Sequence, residues 1–173
     1  HHIVGGCDGA CDGSASCGSV GFGSSKTLSW TLSGGPATSC TASNAWSGAK
    51  STSGGSELTG AINSNRTWTI QCSGPGGTGP ADSVSATVPA PLVTISASPN
   101  PVPYNTSSTI TWSSSNAGSC TASGGRSGIK PLSGSESTGN LTSDKTYTLT
   151  CSGNGTDTKS VTVSVSSPPA PTV

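Results

Sequence analysis

The chain has 173 residues, including 25 glycines, 12 prolines and no methionine. Seven basic and seven acidic residues cancel, so no basic surface is present to attract nucleic acid or an anionic membrane. The apolar runs are only a few residues long, which excludes a membrane-spanning helix. We expect a mature or trimmed product from which a signal peptide has been removed.

Residues 1–17 form a cysteine-rich N-terminal arm, HHIVGGCDGACDGSASC. The arm holds Cys7, Cys11 and Cys17. If the other four cysteines are paired, one of these three is left over, which indicates an intermolecular disulfide or a free thiol. We expect one local bridge and one bridge between subunits. A partner in an absent upstream domain and a simple unpaired thiol are the alternatives.

Residues 18–90 are predicted to form a first domain made of short strands. Apolar residues alternate with Ser and Thr over 28–32, 68–72 and 84–88, as they do in half-buried strands. Ala, Leu, Glu and Lys never cluster at helical spacing. Gly, Asn, Ser and Pro interrupt the pattern about every ten residues, which is typical of a β-sandwich.

A proline-rich linker, VPAPLV at 88–93, follows, and its prolines favour a short, extended connection. Residues 91–167 then repeat the alternation of the first domain and are predicted to form a second one. Residues 168–173, PPAPTV, form a Pro-rich C-terminal tail that is similar to the linker.

The two predicted domains are copies of one unit, because equivalent residues recur about eighty positions apart. The matched pairs are Trp30 and Trp112, Cys40 and Cys120, Lys50 and Lys130, Glu57 and Glu136, and Cys72 and Cys151. Small domains commonly need a covalent staple, so we predict the disulfides Cys40–Cys72 and Cys120–Cys151. A metal site is not predicted there, because CxxC spacing and nearby histidines are both absent.

The same alignment predicts a weak first strand in the first domain. Counted back from Trp30, residues 13–16 align with 95–98 of the strand LVTISAS. The segment around 13–16 is rich in Gly and Asp, which are poor strand formers, so one sheet edge is predicted to be open. Strand addition by the tail 168–173 of a neighbouring molecule is predicted to fill that edge.

Three motifs recur in both copies. They are SCTAS at 39–43 and 119–123, SGxK at 47–50 and 127–130, and T[WY]T[IL]xCSG at 67–74 and 146–153. They resemble the tandem, disulfide-containing Ig-like repeats of bacterial surface and secreted proteins. The resemblance implies an all-β fold of two tandem Ig-like β-sandwich domains with a short Cys-rich N-terminal arm. Such repeats serve as spacers, adhesin segments or appendage building blocks.

Trp46 is the candidate ligand contact. Arg126 occupies its position in the second copy, and a position that accepts both residues is expected to be at least partly exposed. An exposed indole stacks on sugar rings, although Trp46 could instead simply cover a loop. Lys50 and Glu57 recur in the second copy as well. They predict a surface ion pair or, alternatively, a Lys–Asn isopeptide crosslink assisted by the glutamate.

No catalytic residue, metal ligand or cofactor is predicted. The IVGG at 3–6 resembles the activated N-terminus of trypsin-like proteases, but those enzymes need a histidine within the fold, and the only histidines are His1 and His2. Asp8 and Asp12 lack the third acidic ligand and the distal Glu of a calcium loop. We therefore predict that the chain is not an enzyme.

The predicted function is a non-enzymatic extracellular structural module, a stalk or a subunit of a bacterial surface appendage or filament. Assembly by strand addition and an inter-subunit disulfide is predicted. The alternative is an adhesin-type module that binds a glycan or a protein through Trp46. The expected partners are further copies of the chain or another surface protein. Disulfides persist in oxidising compartments, so the predicted location is extracellular or at the cell surface.

Overall fold

The structure is a computed structural model, and it describes residues 2–7 and 16–167. The chain divides between Pro89 and Ala90 into two compact units. The described ranges contain β-strands and no helix, so the predicted all-β class is confirmed. No helix in those ranges is long and apolar enough to cross a membrane.

The first unit consists of two sheets. Its strands are β1 (His2–Cys7), β2 (Ser16–Ser19), β3 (Thr27–Ser33), β4 (Ser39–Asn44), β5 (Gly48–Lys50), β6 (Gly55–Leu58), β7 (Arg66–Gly74), β8 (Gly77–Thr78) and β9 (Asp82–Thr87). One sheet has the order β1-β3-β6, and the other has the order β2-β9-β7-β4-β5 with β8 beside β7. The β2–β9 pair is parallel, whereas β1–β3 and β4–β7 are antiparallel.

The second unit repeats this arrangement. Its strands are β10 (Leu92–Ser98), β11 (Thr106–Ser115), β12 (Ala117–Gly124), β13 (Gly128–Lys130), β14 (Ser133–Leu141), β15 (Lys145–Gly153) and β16 (Gly155–Val163). The sheets have the orders β10-β11-β14 and β13-β12-β15-β16. A parallel bridge between Val102 and Val165 corresponds to the β2–β9 pair. In both units the chain crosses from the first sheet to the second after its first strand. It then pairs in parallel with the C-terminal part of the unit, at the edge of the second sheet.

The core of each unit lies between its two sheets, because apolar residues alternate along the strands. In β7, Trp68, Ile70 and Cys72 are buried, while the residues between them are not. The corresponding positions in β15 behave in the same way. Complete burial of one such large apolar side chain contributes about 1.5–3 kcal/mol. Alternation of this kind is what a half-buried strand requires.

The prediction of a weak first strand at residues 13–16 was wrong. The first strand of the first unit is β1, which pairs along its whole length with β3 and so occupies the predicted open edge. Trp30 follows its partner Gly5 by 25 positions, whereas Trp112 follows its partner Ile95 by 17. The first unit therefore carries eight extra residues, and an ungapped alignment misplaces its first strand.

The same finding changes the domain assignment. The strands β1 and β2 lie in residues that were assigned to a separate cysteine-rich arm, yet both are hydrogen-bonded into sheets of the first unit. Residues 2–7 and 16–17 of the predicted arm thus belong to strands of the first sandwich. The tail 168–173, predicted to add as a strand, lies outside the described residues.

Candidate functional site

In each unit a disulfide joins neighbouring strands of a single sheet. Cys40 in β4 and Cys72 in β7 are directly paired, with Cα atoms 4.0 Å apart. Cys120 in β12 and Cys151 in β15 repeat this geometry at 4.1 Å. In antibody domains the disulfide links the two sheets to each other. Here it fixes one sheet, so other groups must hold the sheets together.

A charged and aromatic cluster spans the two sheets at one edge of the first unit. Lys50 in β5 places Nζ 2.6 Å from Oε2 of Glu57 in β6, and these strands belong to different sheets. Trp46 donates from Nε1 to the same oxygen at 3.0 Å. The Lys50 ammonium also lies 4.7 Å from the centre of the Trp46 ring, within cation–π range. We call Trp46, Lys50 and Glu57 the edge clamp of the first unit.

The second unit has an edge clamp of Arg126, Lys130 and Glu136. Lys130 in β13 places Nζ 2.9 Å from Oε2 of Glu136 in β14, again across the two sheets. Arg126 donates from Nη1 to the same Glu136 oxygen. Its Nη2 donates to the backbone carbonyl of Ser137 at 2.8 Å. The Trp in one unit and the Arg in the other therefore make the same hydrogen bond to the matching glutamate.

In the edge clamp of the first unit, the lysine is largely buried and the glutamate that it contacts is more exposed. The Lys50 side chain is 10% exposed, and that of Glu57 is 46% exposed. The hydrogen bond from Lys50, followed by that from Trp46, lowers the pKa of Glu57. The hydrogen bond from Lys130 does the same to the pKa of Glu136. Both hydrogen-bond patterns favour the charged form of the carboxylate, which is the form that pairs with the lysine.

Trp46 is partly exposed, as expected, but it also takes part in the packing of the first unit. Its side chain is half-buried and packs against both core clusters of the first unit. Its ring meets that of Trp30 edge to face, with centroids 5.2 Å apart. The space left beside these rings is about 10 Å³, no more than one water molecule needs. The structure therefore places Trp46 in the packing of the sandwich.

The residue opposite Trp30 explains why the indole of Trp46 packs there. In the second unit Ile95 pairs with Trp112 and packs against the core. In the first unit Gly5 takes the place of Ile95, and glycine has no side chain to supply that bulk. The indole of Trp46 instead packs on Trp30. The two units thus fill equivalent volumes from different segments, a strand in the second unit and the β4–β5 loop in the first.

The cysteines of the N-terminal segment are described only in part. Cys17 in β2 is disulfide-bonded. The backbone of Cys7 lies in β1, while the Cys7 side chain and all of Cys11 lie outside the described part of the chain. These seven cysteines cannot all pair among themselves, because the number is odd. The local bridge and the bridge between subunits stay predictions.

Metal coordination has no support in the part of the chain that the structure describes. Within residues 2–7 and 16–167, no group of three His, Cys, Asp or Glu residues could hold a metal ion. Asp8 and Asp12, which resemble part of a calcium loop, lie outside those ranges.

Hydroxyl side chains line the outer face of one sheet in each unit, and we call these rows the hydroxyl ladders. In the second unit the rungs are Thr146–Thr162 at 2.8 Å, Thr148–Ser160 at 2.8 Å and Thr150–Thr158 at 3.0 Å. In the first unit they are Thr67–Ser85 at 2.9 Å and Thr69–Ser83 at 2.7 Å. Such cross-strand pairs stabilise a sheet by about 0.2–1 kcal/mol each. The hydroxyls bond to one another, which leaves a neutral, polar outer face.

No protein-family model and no curated protein matches the chain. Several solved structures resemble it at low identity. Fibronectin(III)-like modules of Clostridium thermocellum CbhA share 13% identity and a TM-score of 0.34, with 94% of both chains covered. Domains 3–5 of Drosophila OTK share 9% and 0.41, with 88% of this chain and 60% of that one covered. Three domains of the bacteriophage RB49 capsid protein Hoc share 13% and 0.43, with 83% and 55% covered.

The fold follows from the topology of the two units. Each unit packs a three-stranded sheet against a larger one, encloses its own core and carries its own buried disulfide. Disulfides of this kind form in an oxidising environment. The chain is an all-β protein built from two Ig-like sandwich domains in tandem.

Proposed function

We propose that the chain is a non-enzymatic extracellular structural module, a stalk or a subunit of a surface appendage. One observation carries the proposal: each domain is closed by its own core, disulfide and edge clamp, and its outer hydroxyl ladder is bonded to itself. Polar groups that hydrogen-bond to one another make a domain rigid. They also leave few free donors and acceptors for a ligand.

The disulfides support a location outside the reducing cytosol. Cys40, Cys72, Cys120 and Cys151 are each no more than 1% exposed, so they serve the interior of the domains. Small secreted domains use such bonds because their cores alone are small. Only 8% of the residues are charged, which fits a surface that makes few specific electrostatic contacts with other molecules.

The alternative function, binding of a glycan or a protein through Trp46, has less support, because the groups of Trp46 are engaged within its own domain. The Trp46 N–H is donated to Glu57, the ring faces the Lys50 ammonium, and Trp30 packs against it. A sugar ring would have to displace the edge clamp before it could stack. We therefore favour the structural function over the adhesin function.

Self-association is the form of assembly that we propose. An odd number of cysteines leaves at least one of the seven without a partner among the others, and an oxidising environment favours its pairing with another molecule. Further copies of the chain are therefore the proposed partners.

Native material purified without reductant tests this function. We expect a ladder of disulfide-linked species on non-reducing gels and ordered polymers in electron micrographs. Uniform monomers in both measurements would contradict the proposal. A titration of tryptophan fluorescence against a glycan panel is the companion experiment, and we expect no saturable change; a saturable change would restore the adhesin function.

A further inference from the structure

The first strand is connected to its domain differently in the two units. In the second unit only three residues separate the end of β10 at Ser98 from Val102, which already pairs with the far sheet. In the first unit eight residues separate the end of β1 at Cys7 from the start of β2 at Ser16. The strands β1 and β10 occupy equivalent positions in their units. The difference therefore lies in the connection that follows each strand, which we call its tether.

The reach of the two tethers differs by more than the width of a sandwich. Packed sheets lie about 10 Å apart, and this is the distance the chain must cross. Four residue steps from Ser98 to Val102 span at most about 14 Å, which leaves little slack. Nine steps from Cys7 to Ser16 span up to about 32 Å. The tether of β1 therefore has more residues than the crossing within its own domain requires, and exchange needs such spare length.

The way in which β1 is held also permits exchange. It is an edge strand of a three-stranded sheet, and among the described strands of that sheet it pairs only with β3. Recognition by main-chain hydrogen bonds in a fixed register is the same whichever copy supplies the strand. In that register Gly5 lies opposite Trp30, so the docking position is already matched to this segment.

We propose that β1 is exchanged between molecules, so that His2–Cys7 of one copy pairs with β3 of a second copy. The inference deepens the proposed function and rests on it, because it names the contact through which copies associate. Strand exchange adds few new interactions, since the native pairing is reused, and it is a low-cost route to assembly. Successive exchanges in one direction build an open polymer.

A disulfide between β1 and β2 would make the exchange permanent. Cys7 is carried by β1 and Cys17 by β2, on opposite sides of the tether. A disulfide between these two strands is intramolecular when β1 stays on its own domain and intermolecular when β1 is exchanged. Oxidation therefore fixes whichever arrangement is present.

An isotope-mixing experiment on the full chain tests the exchange. Val4 and Thr31 are directly paired, so the substitutions Val4→Cys and Thr31→Cys place a reporter disulfide across β1 and β3. Thr94 and Ser113 occupy the equivalent positions in the second domain, so Thr94→Cys with Ser113→Cys is the matched control. Light and ¹⁵N-labelled copies are mixed while reduced, concentrated, oxidised and separated by size.

The peptide pairs in each size fraction give the answer by mass spectrometry. In the oligomer we expect about half of the 4–31 disulfides to join a light to a heavy chain, with none in the monomer and none in the 94–113 control. Oligomers that contain only same-isotope 4–31 pairs would overturn the exchange while leaving the proposed function intact. The absence of any oligomer up to millimolar concentration would overturn both.

A competing peptide provides a second measurement without new cysteines. Excess HHIVGGS, residues 1–7 with Cys7→Ser, is expected to reduce oligomer formation by the unmodified chain at least several-fold. The same peptide with Val4→Pro and Gly5→Pro lacks two backbone donors and should have no effect. Equal inhibition by both peptides, or by neither, would contradict the exchange.

Discussion

Trp46 in the first domain and Arg126 in the second occupy equivalent positions and donate to equivalent glutamate oxygens. An indole and a guanidinium are both flat groups with an N–H at the rim. The position therefore selects a planar donor that reaches across the sheets. The pair therefore distinguishes two contributions to the clamp. Both side chains make the hydrogen bond to the glutamate, whereas the indole of Trp46 also packs on Trp30.

Replacing Trp46 should show that separation. Trp46→Ala removes both the hydrogen bond and the contact with Trp30, and we expect a loss of about 2–3 kcal/mol from the free energy of unfolding of the first domain. Trp46→Arg restores the donor and should lose only about 1 kcal/mol. Urea unfolding measures both values. Equal losses for the two variants would show that packing alone matters.

Acid should weaken the clamps. The pKa of Glu57 and that of Glu136 lie below the ordinary value of 4.5, so the folded state holds these protons less tightly than the unfolded state does. The stabilisation is therefore complete above pH 4.5 and is lost as the pH falls through the folded pKa values. Thermal melts between pH 7 and pH 2 measure this loss.

The variant with Glu57→Gln and Glu136→Gln provides the control for that experiment. It removes the two titrating carboxyls of the clamps, so its melting temperature should fall less steeply below pH 4.5 than that of the unmodified chain. A third carboxyl, Asp157, still contributes, because its hydrogen bond from the Val93 backbone lowers its pKa as well. Identical slopes for variant and parent would show that the clamps play no part.

Each disulfide should stabilise its own domain by a similar amount. The bonded cysteines are 32 residues apart in the first domain and 31 in the second. Closing loops of this length contributes about 3–4 kcal/mol on the chain-entropy model. We expect Cys40→Ala with Cys72→Ala, and separately Cys120→Ala with Cys151→Ala, to lose that much in urea unfolding. Loss of stability in the untouched domain would contradict the independence of the two.

Two glycines are required by the tryptophans that cover them. A Cβ on Gly55 or on Gly134 would lie 2.8 Å from a ring carbon of Trp30 or of Trp112 respectively. Gly55→Ala and Gly134→Ala should therefore each destabilise by about 1–3 kcal/mol, because the ring must move. Gly76 has nothing within 4 Å of an added Cβ, so Gly76→Ala is the control and should be nearly neutral.

Much of the fold could be predicted because the repeat is internal to the sequence. Cys40 and Cys120, or Trp30 and Trp112, recur in matching surroundings, and alternation over β7 and β15 identifies the buried face. These signals are local or periodic, so they survive without any knowledge of the tertiary contacts.

The first strand was missed for a physical reason. Counting back from Trp30 assumes tethers of equal length, and the eight extra residues before β2 break that assumption. The error also hid the equivalence of Gly5 and Ile95. Without that equivalence, Trp at position 46 and Arg at position 126 suggest a surface position that tolerates either residue. The indole of Trp46 in fact packs on Trp30.

The placement of the disulfides has a mechanical consequence. A chain pulled from its two ends cannot extend the segments between Cys40 and Cys72 or between Cys120 and Cys151. Each bond therefore withholds about 110 Å of contour length, because an extended residue spans about 3.3–3.6 Å. Both edge clamps lie inside these segments, so tension transmitted along the backbone bypasses the residues that form them.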